Sequence, residues 1–510
     1  MIKINNVIEQ IEAYAASQPD TISYDYLGDT KTYADIKRDS DTLAAHIDGM
    51  NLPDKAPVMV FGGHEYEMIV SFLALIKSGH AYVPVDVDSS EDRVKNILEI
   101  GQPAAVIAVD TPSVKIDSVP VISKDELAAI LAKPADYTIS HSVTGDENFY
   151  ILFTSGTTGK PKGVQISHDN VRGFLNWMHS DDFNLSTGEN FLSQAPYSFD
   201  ISMMAWGNAL TSGGTIKALP NEVAEDFKKL FATLPTMDLE IWSSTPSFAD
   251  VALLDPEFKQ ENYPKLKTFM FCGEVLTSTT VKKLFDRFPD TKIYNTYGPT
   301  EATVAVSSME ITPEVVEKNV KLPIGYVRPD TEMVIQEDGK DLPNGESGEI
   351  IIAGEPVSKG YLNNPEKTKA AFTTYKGMPA YHTGDLGVKD DDGLLHYKGR
   401  MDFQIKLHGF RIELEEVAQQ LHQSQWVEQA AAVPRYDADG KVKQIIAIIV
   451  PKKNDFEKPM DLTNAIKADL TNVMMPYMIP GRFKYRESMP LTPNGKINLK
   501  GLIAEENGNA

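Results

Sequence analysis

NFYILFTSGTTGKPKGVQIS, residues 148–167, reads as an apolar run, a polar glycine-rich loop and a second apolar run. NFYILF is a strand candidate that ends at the loop, and GVQIS is another that leaves it. A helix follows, with Val171, Phe174, Leu175 and Met178 on one face and Ser167 or Asp169 placed to cap it. The loop TSGTTGKPKG (154–163) has the residues of a phosphate loop but fails the P-loop pattern. Gly159-Lys160 is followed by Pro161, and Thr154 stands where the first glycine belongs. Its composition suits two readings equally. One is a mobile clamp on a polyphosphate, with hydroxyl donors and two lysines. The other is a solvated polar loop.

Upstream, the chain alternates helix and strand patterns. Ile69, Phe72, Leu73 and Ile76 share one helix face, Gly79 can end that helix, and AYVPVDV then reads as a strand. VKNILEI and AAVIAVD repeat the order, as do LKTFMFCGE, TVKKLFDRF and KIYNTYGPTE further on. Such alternation predicts α/β layers around a largely parallel sheet. Residues 321–400 are richer in turn formers and short β runs such as GEIIIAG, which predicts a small β subdomain. Residues 412–510 start a fresh α+β pattern.

Charge supports a cut at the same place. The formal net charge is −23, yet residues 401–510 carry 14 Lys/Arg against 14 Asp/Glu, so the whole excess lies in residues 1–400. The expected organisation is a large N-terminal domain over 1–400 and a small C-terminal domain over 401–510. A surface this acidic disfavours nucleic acid and anionic lipid as general partners. One cysteine among 510 residues excludes an intrachain disulfide and fits a reducing compartment. The N-terminal stretch has no uninterrupted apolar core of the signal-peptide kind, and no apolar run reaches membrane-spanning length. The expectation is a cytoplasmic protein. No two glycines lie two apart, which removes the dinucleotide fingerprint, and the ten histidines show no metal-ligand spacing.

Four further motifs accompany the loop: NTYGPTEATV (295–304), YHTGD (381–385), GRMDFQIKLHGFRIE (400–413 region) and PLTPNGKIN (490–498). Singly, each has a dull structural explanation: YGPTE as a turn with a helix cap, HTGD as a turn, PNGK as an Asn-Gly hairpin. Together and in this order they resemble the acyl-adenylate-forming ligases, a family that includes acyl-CoA synthetases, luciferases and the adenylation domains of peptide synthetases. The resemblance covers essentially the whole chain. It implies a fold of helix-flanked sheets with a small β-barrel-like subdomain, plus a mobile C-terminal α+β domain. It implies ATP and Mg²⁺ as cofactors. FDISMMAW, FMFCGEVL, MDFQIKLHGFRIELEEV and YMIPGRF are most similar to members that load D-alanine onto the phosphopantetheine thiol of a small carrier protein, for teichoic acid D-alanylation.

Residue roles follow from the resemblance. Thr154, Ser155, Thr157 and Lys160 would engage the β- and γ-phosphates. Asn295 and Tyr297 would hold the adenine and Thr300 touch the α-phosphate, with Asp385 and Arg400 at the ribose; Thr296, Gly298, Pro299 and Tyr397 would also bind ATP. Glu301 would meet Mg²⁺ through ATP, as a hard carboxylate donor suits. Lys496 would be the adenylation lysine, a point cation between substrate carboxylate and α-phosphate. Asp200 would hold the substrate ammonium, and Met204, Cys272 and Val304 would wall its side chain. From composition alone Cys272 reads first as a buried thiol, and the resemblance makes it a pocket wall. Asp402 fits a hinge, and Gly409 the approach of the thiol arm. No carrier-like segment follows Lys496, so the carrier is expected in trans, with Arg435, Lys441 and Lys443 as candidate docking cations. A D rather than an L substrate rests on the resemblance alone.

Overall fold

The computed structural model describes residues 2–156, 160–471, 473–492 and 497–508. The chain divides into two compact units. The first comprises residues 1–87, 100–153 and 163–401, the second residues 88–99, 154–162 and 402–510.

Three sheets build the first unit. The largest has nine strands, in the order Tyr326–Val327, Ser307–Glu310, Lys292–Tyr297, Thr268–Phe271, Ile241–Ser244, Asn190–Ser193, Thr215–Ala218, Ile22–Tyr26, Asp29–Thr32. Its central pairs are parallel and its outer pairs antiparallel. The second has six strands, in the order Val121–Ile122, Ala105–Ala108, Val58–Gly62, Tyr82–Asp86, Asn148–Thr154, Lys162–Ser167. Strands and helices thus alternate as the sequence pattern predicts, because each crossover helix covers a face of a parallel sheet. The third sheet is antiparallel and is built from Thr331–Glu337, Lys340–Asp341, Gly348–Gly354, Phe372–Tyr375, Met378–Lys389 and Leu395–Arg400. It occupies the span read as a small β subdomain.

Local chemistry explains the element ends. Ser167 caps the helix His168–Met178 through the backbone N–H of Asn170, whose side chain returns a bond to Ser167. Gly79 has φ 80°, and a Cβ there would lie 2.8 Å from the carbonyl oxygen of His141. Only glycine meets both demands where the helix Tyr66–Lys77 ends. That helix departs from the one-faced expectation. Every residue from Met68 to Lys77 is buried, so it is a central helix rather than an amphipathic surface one. Each fully buried Ile, Leu or Phe contributes about 1.5–3 kcal/mol. Lys77 tolerates burial because its ammonium meets Glu12 at 2.5 Å and Asp41 at 2.6 Å. Removing either carboxylate would leave a buried charge underpaired, at a cost of about 3–5 kcal/mol.

The second unit holds a two-stranded sheet, Gln404–Leu407 with Phe410–Glu413, and a three-stranded sheet of Val427–Tyr436, Val442–Pro451 and Arg482–Tyr485. Helices Leu414–Leu421, Pro459–Leu470 and Leu499–Asn507 belong to the same unit. Its core gathers Ile412, Val417, Leu421, Ile445, Ile449 and Ile466. No helix among the described residues is long and apolar enough to cross a membrane.

Candidate functional site

In the first unit, the motifs NTYGPTEATV and YHTGD meet through side chains. Asn295, Thr296 and Tyr297 lie on the last turns of strand Lys292–Tyr297, all buried. The Asn295 amide donates to the Pro323 carbonyl at 2.7 Å, and the Thr296 hydroxyl to that of Phe271 at 2.9 Å. Tyr297 donates to Asp385 Oδ2 at 2.5 Å. Arg400 reaches the other oxygen, Oδ1, at 2.9 Å. The Asp385 carboxylate is buried, and these two partners make that burial tolerable. Burial first, and the neighbouring carboxylate second, push the Tyr297 phenol well above its ordinary value of 10.0, so it stays a donor. Tyr397 completes the group, its ring 6.4 Å from that of Tyr297.

YHTGD is not a turn. It lies inside the strand Met378–Lys389. Between the pairs Glu349↔Leu386 and Ile351↔His382, one strand advances two residues and the other four. Gly384, at φ 68°, sits in this bulge, and its N–H donates to Glu349 at 2.9 Å. The Thr383 hydroxyl accepts from the Asp385 N–H at 2.9 Å. A bulge re-aims the next side chain, here that of Asp385. A turn reading missed this because Thr-Gly-Asp is equally the chemistry of a turn.

Pro299 leads into a short 3-10 turn, Thr300–Ala302. The Glu301 side chain within it is fully buried and accepts from the Tyr361 hydroxyl at 2.9 Å. Sequence offered no signal for Tyr361, which lies sixty residues further along the chain. Glu301 is a hard oxygen donor of the kind Mg²⁺ takes singly while phosphates supply its other ligands. Among the described residues, no three His, Cys, Asp or Glu side chains converge as a protein-only metal cage. The donor set therefore fits a metal held mainly by a nucleotide.

A second group forms around Asp200, the half-buried first residue of the 3-10 turn Asp200–Ser202. The N-cap of this turn is Phe199 and that of the next helix, Met203–Thr211, is Ser202, so Asp200 is not a cap. Met204, Cys272 and Val304 are all buried in one apolar cluster, with Ile201 and Tyr150. The thiol of Cys272 donates to the Val304 carbonyl at 3.6 Å. The Tyr150 hydroxyl is buried without a hydrogen-bond partner among the described residues, and its pKa is raised by burial first and then by the Asp200 carboxylate. One carboxylate thus acts on a tyrosine that shares an apolar cluster with Met204, Cys272 and Val304.

The remaining candidates lie in the second unit. The Ser155 hydroxyl donates to the Arg411 carbonyl at 2.7 Å, and Lys160 pairs with Glu99 at 2.9 Å. Asp402 is the first residue of this unit's main segment, and its carboxylate accepts from the Gln404 N–H at 3.1 Å. His408 and Gly409, at φ 52° and 84°, are the two central residues of the hairpin joining Gln404–Leu407 to Phe410–Glu413. Two left-handed residues in that place give the type I′ turn, so Gly409 has a structural reason to be glycine as well. Thr154 ends the strand Asn148–Thr154, its hydroxyl oxygen buried without a partner among the described residues. Thr157, Lys496 and the expected Asn-Gly hairpin at 493–496 lie outside the described residues.

Comparison with known proteins identifies the family. A family model described as AMP-binding enzyme matches residues 11–362, and one described as AMP-binding enzyme C-terminal domain matches 416–496. Proteins named D-alanine--D-alanyl carrier protein ligase are similar over nearly the full chain. That of Lactiplantibacillus plantarum is 55% identical over 505 residues, covering 99% of both chains. That of Streptococcus agalactiae serotype V is 55% identical over 509 residues, covering 99% of this chain and 100% of its own. Among solved structures, an artificially fused adenylation-PCP di-domain from Klebsiella oxytoca superposes with TM-score 0.81 at 23% identity, covering 95% of this chain and 94% of its own. An adenylation domain of Vibrio cholerae in complex with glycyl-adenosine-5'-phosphate gives TM-score 0.80 at 21% identity, covering 99% and 98%. At such identities the structures share the fold.

Proposed function

The chain belongs to the AMP-binding enzyme family, and from that premise we propose that it is the ligase that activates D-alanine and loads it onto a carrier protein. The observation that carries this reading is identity of 52–55% over 99% of the chain to proteins named for that reaction. The site chemistry supports it: an aspartate for an ammonium, small pocket walls, and a buried carboxylate braced by Tyr297 and Arg400.

The reaction has two halves. First, an oxygen of the D-alanine carboxylate attacks the α-phosphorus of ATP. The bond to the β-phosphate bridging oxygen breaks, giving D-alanyl-AMP and pyrophosphate. Second, a phosphopantetheine thiol attacks the acyl carbon. The thioester forms, AMP leaves, and the thiol proton is released.

Two anions must meet in the first half, so charge neutralisation is the main demand on the protein. Lys496 supplies a cation between substrate carboxylate and α-phosphate. Asp200 pairs the substrate ammonium and so orients the carboxylate. Met204, Cys272 and Val304 limit the side chain to a methyl group. Asp385, held by Tyr297 and Arg400, accepts from the ribose hydroxyls, and Asn295 with Tyr297 and Tyr397 borders the adenine. Thr296, Gly298, Pro299 and Thr300 carry the chain along the α-phosphate. Thr154, Ser155, Thr157 and Lys160 hold the β- and γ-phosphates; Ser155 and Lys160 must exchange their present protein partners to do so. Glu301 would hold Mg²⁺ together with ATP, and the ion supplies neutralisation of the phosphate charge.

Residues 1–400 form the adenylation core in this reading, and 401–510 the mobile domain that carries Lys496. Asp402 serves as the hinge and Gly409 as the residue beside the thiol arm in the second half. The carrier acts in trans and feeds D-alanyl groups to teichoic acid. The protein works in the cytoplasm, where ATP is available; the single cysteine accords with that compartment. Arg435, Lys441 and Lys443 are the cations offered to an acidic carrier.

Incubation with ATP, D-alanine and a phosphopantetheinylated carrier, followed by intact-mass analysis, tests the reading. The wild-type chain is expected to add one alanyl group to the carrier. Lys496→Ala is expected to lose at least about a hundredfold in adenylation, as one transition-state charge partner is worth, yet still to transfer preformed D-alanyl-AMP. Equal loss of both halves in a folded variant would remove Lys496 from that role, and an unloaded carrier with wild-type enzyme would contradict the reading itself.

A further inference from the structure

Thr303 and Val304 are consecutive non-glycine residues in left-handed backbone, at φ 57° and 67°. Both are β-branched, the residue type least tolerant of that region. The Ala305 N–H donates back to the Thr303 carbonyl at 2.8 Å, so Val304 is the centre of a γ-turn of the rarer, strained hand. A sequence adopts such a turn only when its surroundings hold it there.

The holding contacts are specific. Thr303, fully buried, donates its hydroxyl to the Pro356 carbonyl at 2.7 Å. Two further bonds tie the same strap to the preceding turn: the Ser358 N–H to the Glu301 carbonyl, and the Tyr361 hydroxyl to the Glu301 carboxylate, both at 2.9 Å. On the opposite side the chain doubles back so tightly that a Cβ on Gly298 would lie 2.6 Å from Ala305 Cα and 2.8 Å from the Val304 carbonyl oxygen. The Cys272 thiol donates to that same carbonyl at 3.6 Å. The turn is thus pinned from both sides, and Val304 is its apex.

We propose that Thr303 is a positioning residue for substrate selection, whose hydroxyl bond to Pro356 holds the strained turn and thereby sets Val304 as a wall of the amino-acid pocket. The inference rests on the D-alanine reading above. If the hydroxyl bond is lost, the turn relaxes towards ordinary backbone, the Val304 side chain withdraws, and the pocket widens. The consequence falls on amino-acid binding and discrimination. ATP binding changes less, because Asp385 keeps its bonds to Tyr297 and Arg400 and Glu301 keeps its ties to Ser358 and Tyr361.

The test compares Thr303→Val, which keeps shape and loses the hydroxyl, with Thr303→Ser, which keeps the hydroxyl. Thr303→Gly is the second hydroxyl-free variant; it protects folding by relieving the strain at 303, while its backbone freedom and the strain left at Val304 still let the unpinned turn relax. Amino-acid-dependent ATP–pyrophosphate exchange is measured with D-alanine and D-serine, with KM and kcat separated. A lost buried hydrogen bond sets the expected scale: Thr303→Val and Thr303→Gly raise KM for D-alanine about tenfold. They also narrow the D-alanine over D-serine preference by a similar factor, and KM for ATP stays within about twofold. Thr303→Ser is expected to behave as wild type. The inference is overturned if Val and Gly variants keep the wild-type KM and preference, if the Ser variant is as impaired as Val, or if KM for ATP rises as much as KM for D-alanine. Wild-type exchange that responds to neither amino acid would overturn the D-alanine reading, and the inference with it; wild-type exchange with D-alanine leaves only the variants to decide.

Discussion

Asp385 shows what a single residue contributes. Its carboxylate is buried, and Tyr297 and Arg400 take one oxygen each. Tyr297→Phe removes a neutral donor from a charged acceptor in a buried setting, a bond worth about 1.5–3 kcal/mol. The expected outcome is KM for ATP raised about tenfold, with KM for D-alanine unchanged. Steady-state kinetics at varied ATP check it, and an unchanged KM for ATP would remove Tyr297 from the ribose site. The residue types at this site were legible in the motifs, because nucleotide chemistry needs a carboxylate, an arginine and aromatic rings. Their pairing was not. Tyr297 and Asp385 are 88 positions apart, and nothing in local pattern says which tyrosine meets which aspartate.

At the scale of elements, periodicity carried most of the reading. The strand candidates around the glycine-rich loop became Asn148–Thr154 and Lys162–Ser167, and the expected Ser167 cap is present. Patterns failed where tertiary structure overrode local chemistry. The bulge at Gly384 looked like a turn, and a helix buried all round looked amphipathic. An element junction also provides a pH test. Glu355 follows the strand Gly348–Gly354 and faces Arg328 at 3.1 Å, Arg172 at 3.5 Å, and Asp330. Burial first, then Asp330, push its carboxyl from the ordinary 4.5 up to about 7, against the pull of both arginines. Between those values the native chain holds a proton that the unfolded chain releases, so this group makes stability fall as pH rises from 4.5 to about 7. Glu355→Gln removes that contribution. The difference in unfolding temperature, wild type minus variant, should therefore decrease from pH 5 to pH 8. A difference that is flat or rising across this range would show that the proton is not held there.

The whole molecule comprises two compact units. Segments 88–99 and 154–162 group with the second unit, a division that composition could not reveal because it depends on packing across the chain. Within the first unit, Tyr297 of NTYGPTEATV and Asp385 of YHTGD are buried and braced with Arg400, and Ile201 of the Asp200 turn shares an apolar cluster with Val304. In the proposed reading this site selects one small D-amino acid for adenylation. Amino-acid-dependent ATP–pyrophosphate exchange across D-alanine, L-alanine, glycine and D-serine decides it. The highest kcat/KM is expected with D-alanine. Equal or faster exchange with L-alanine, or no exchange with any of the four, would contradict it.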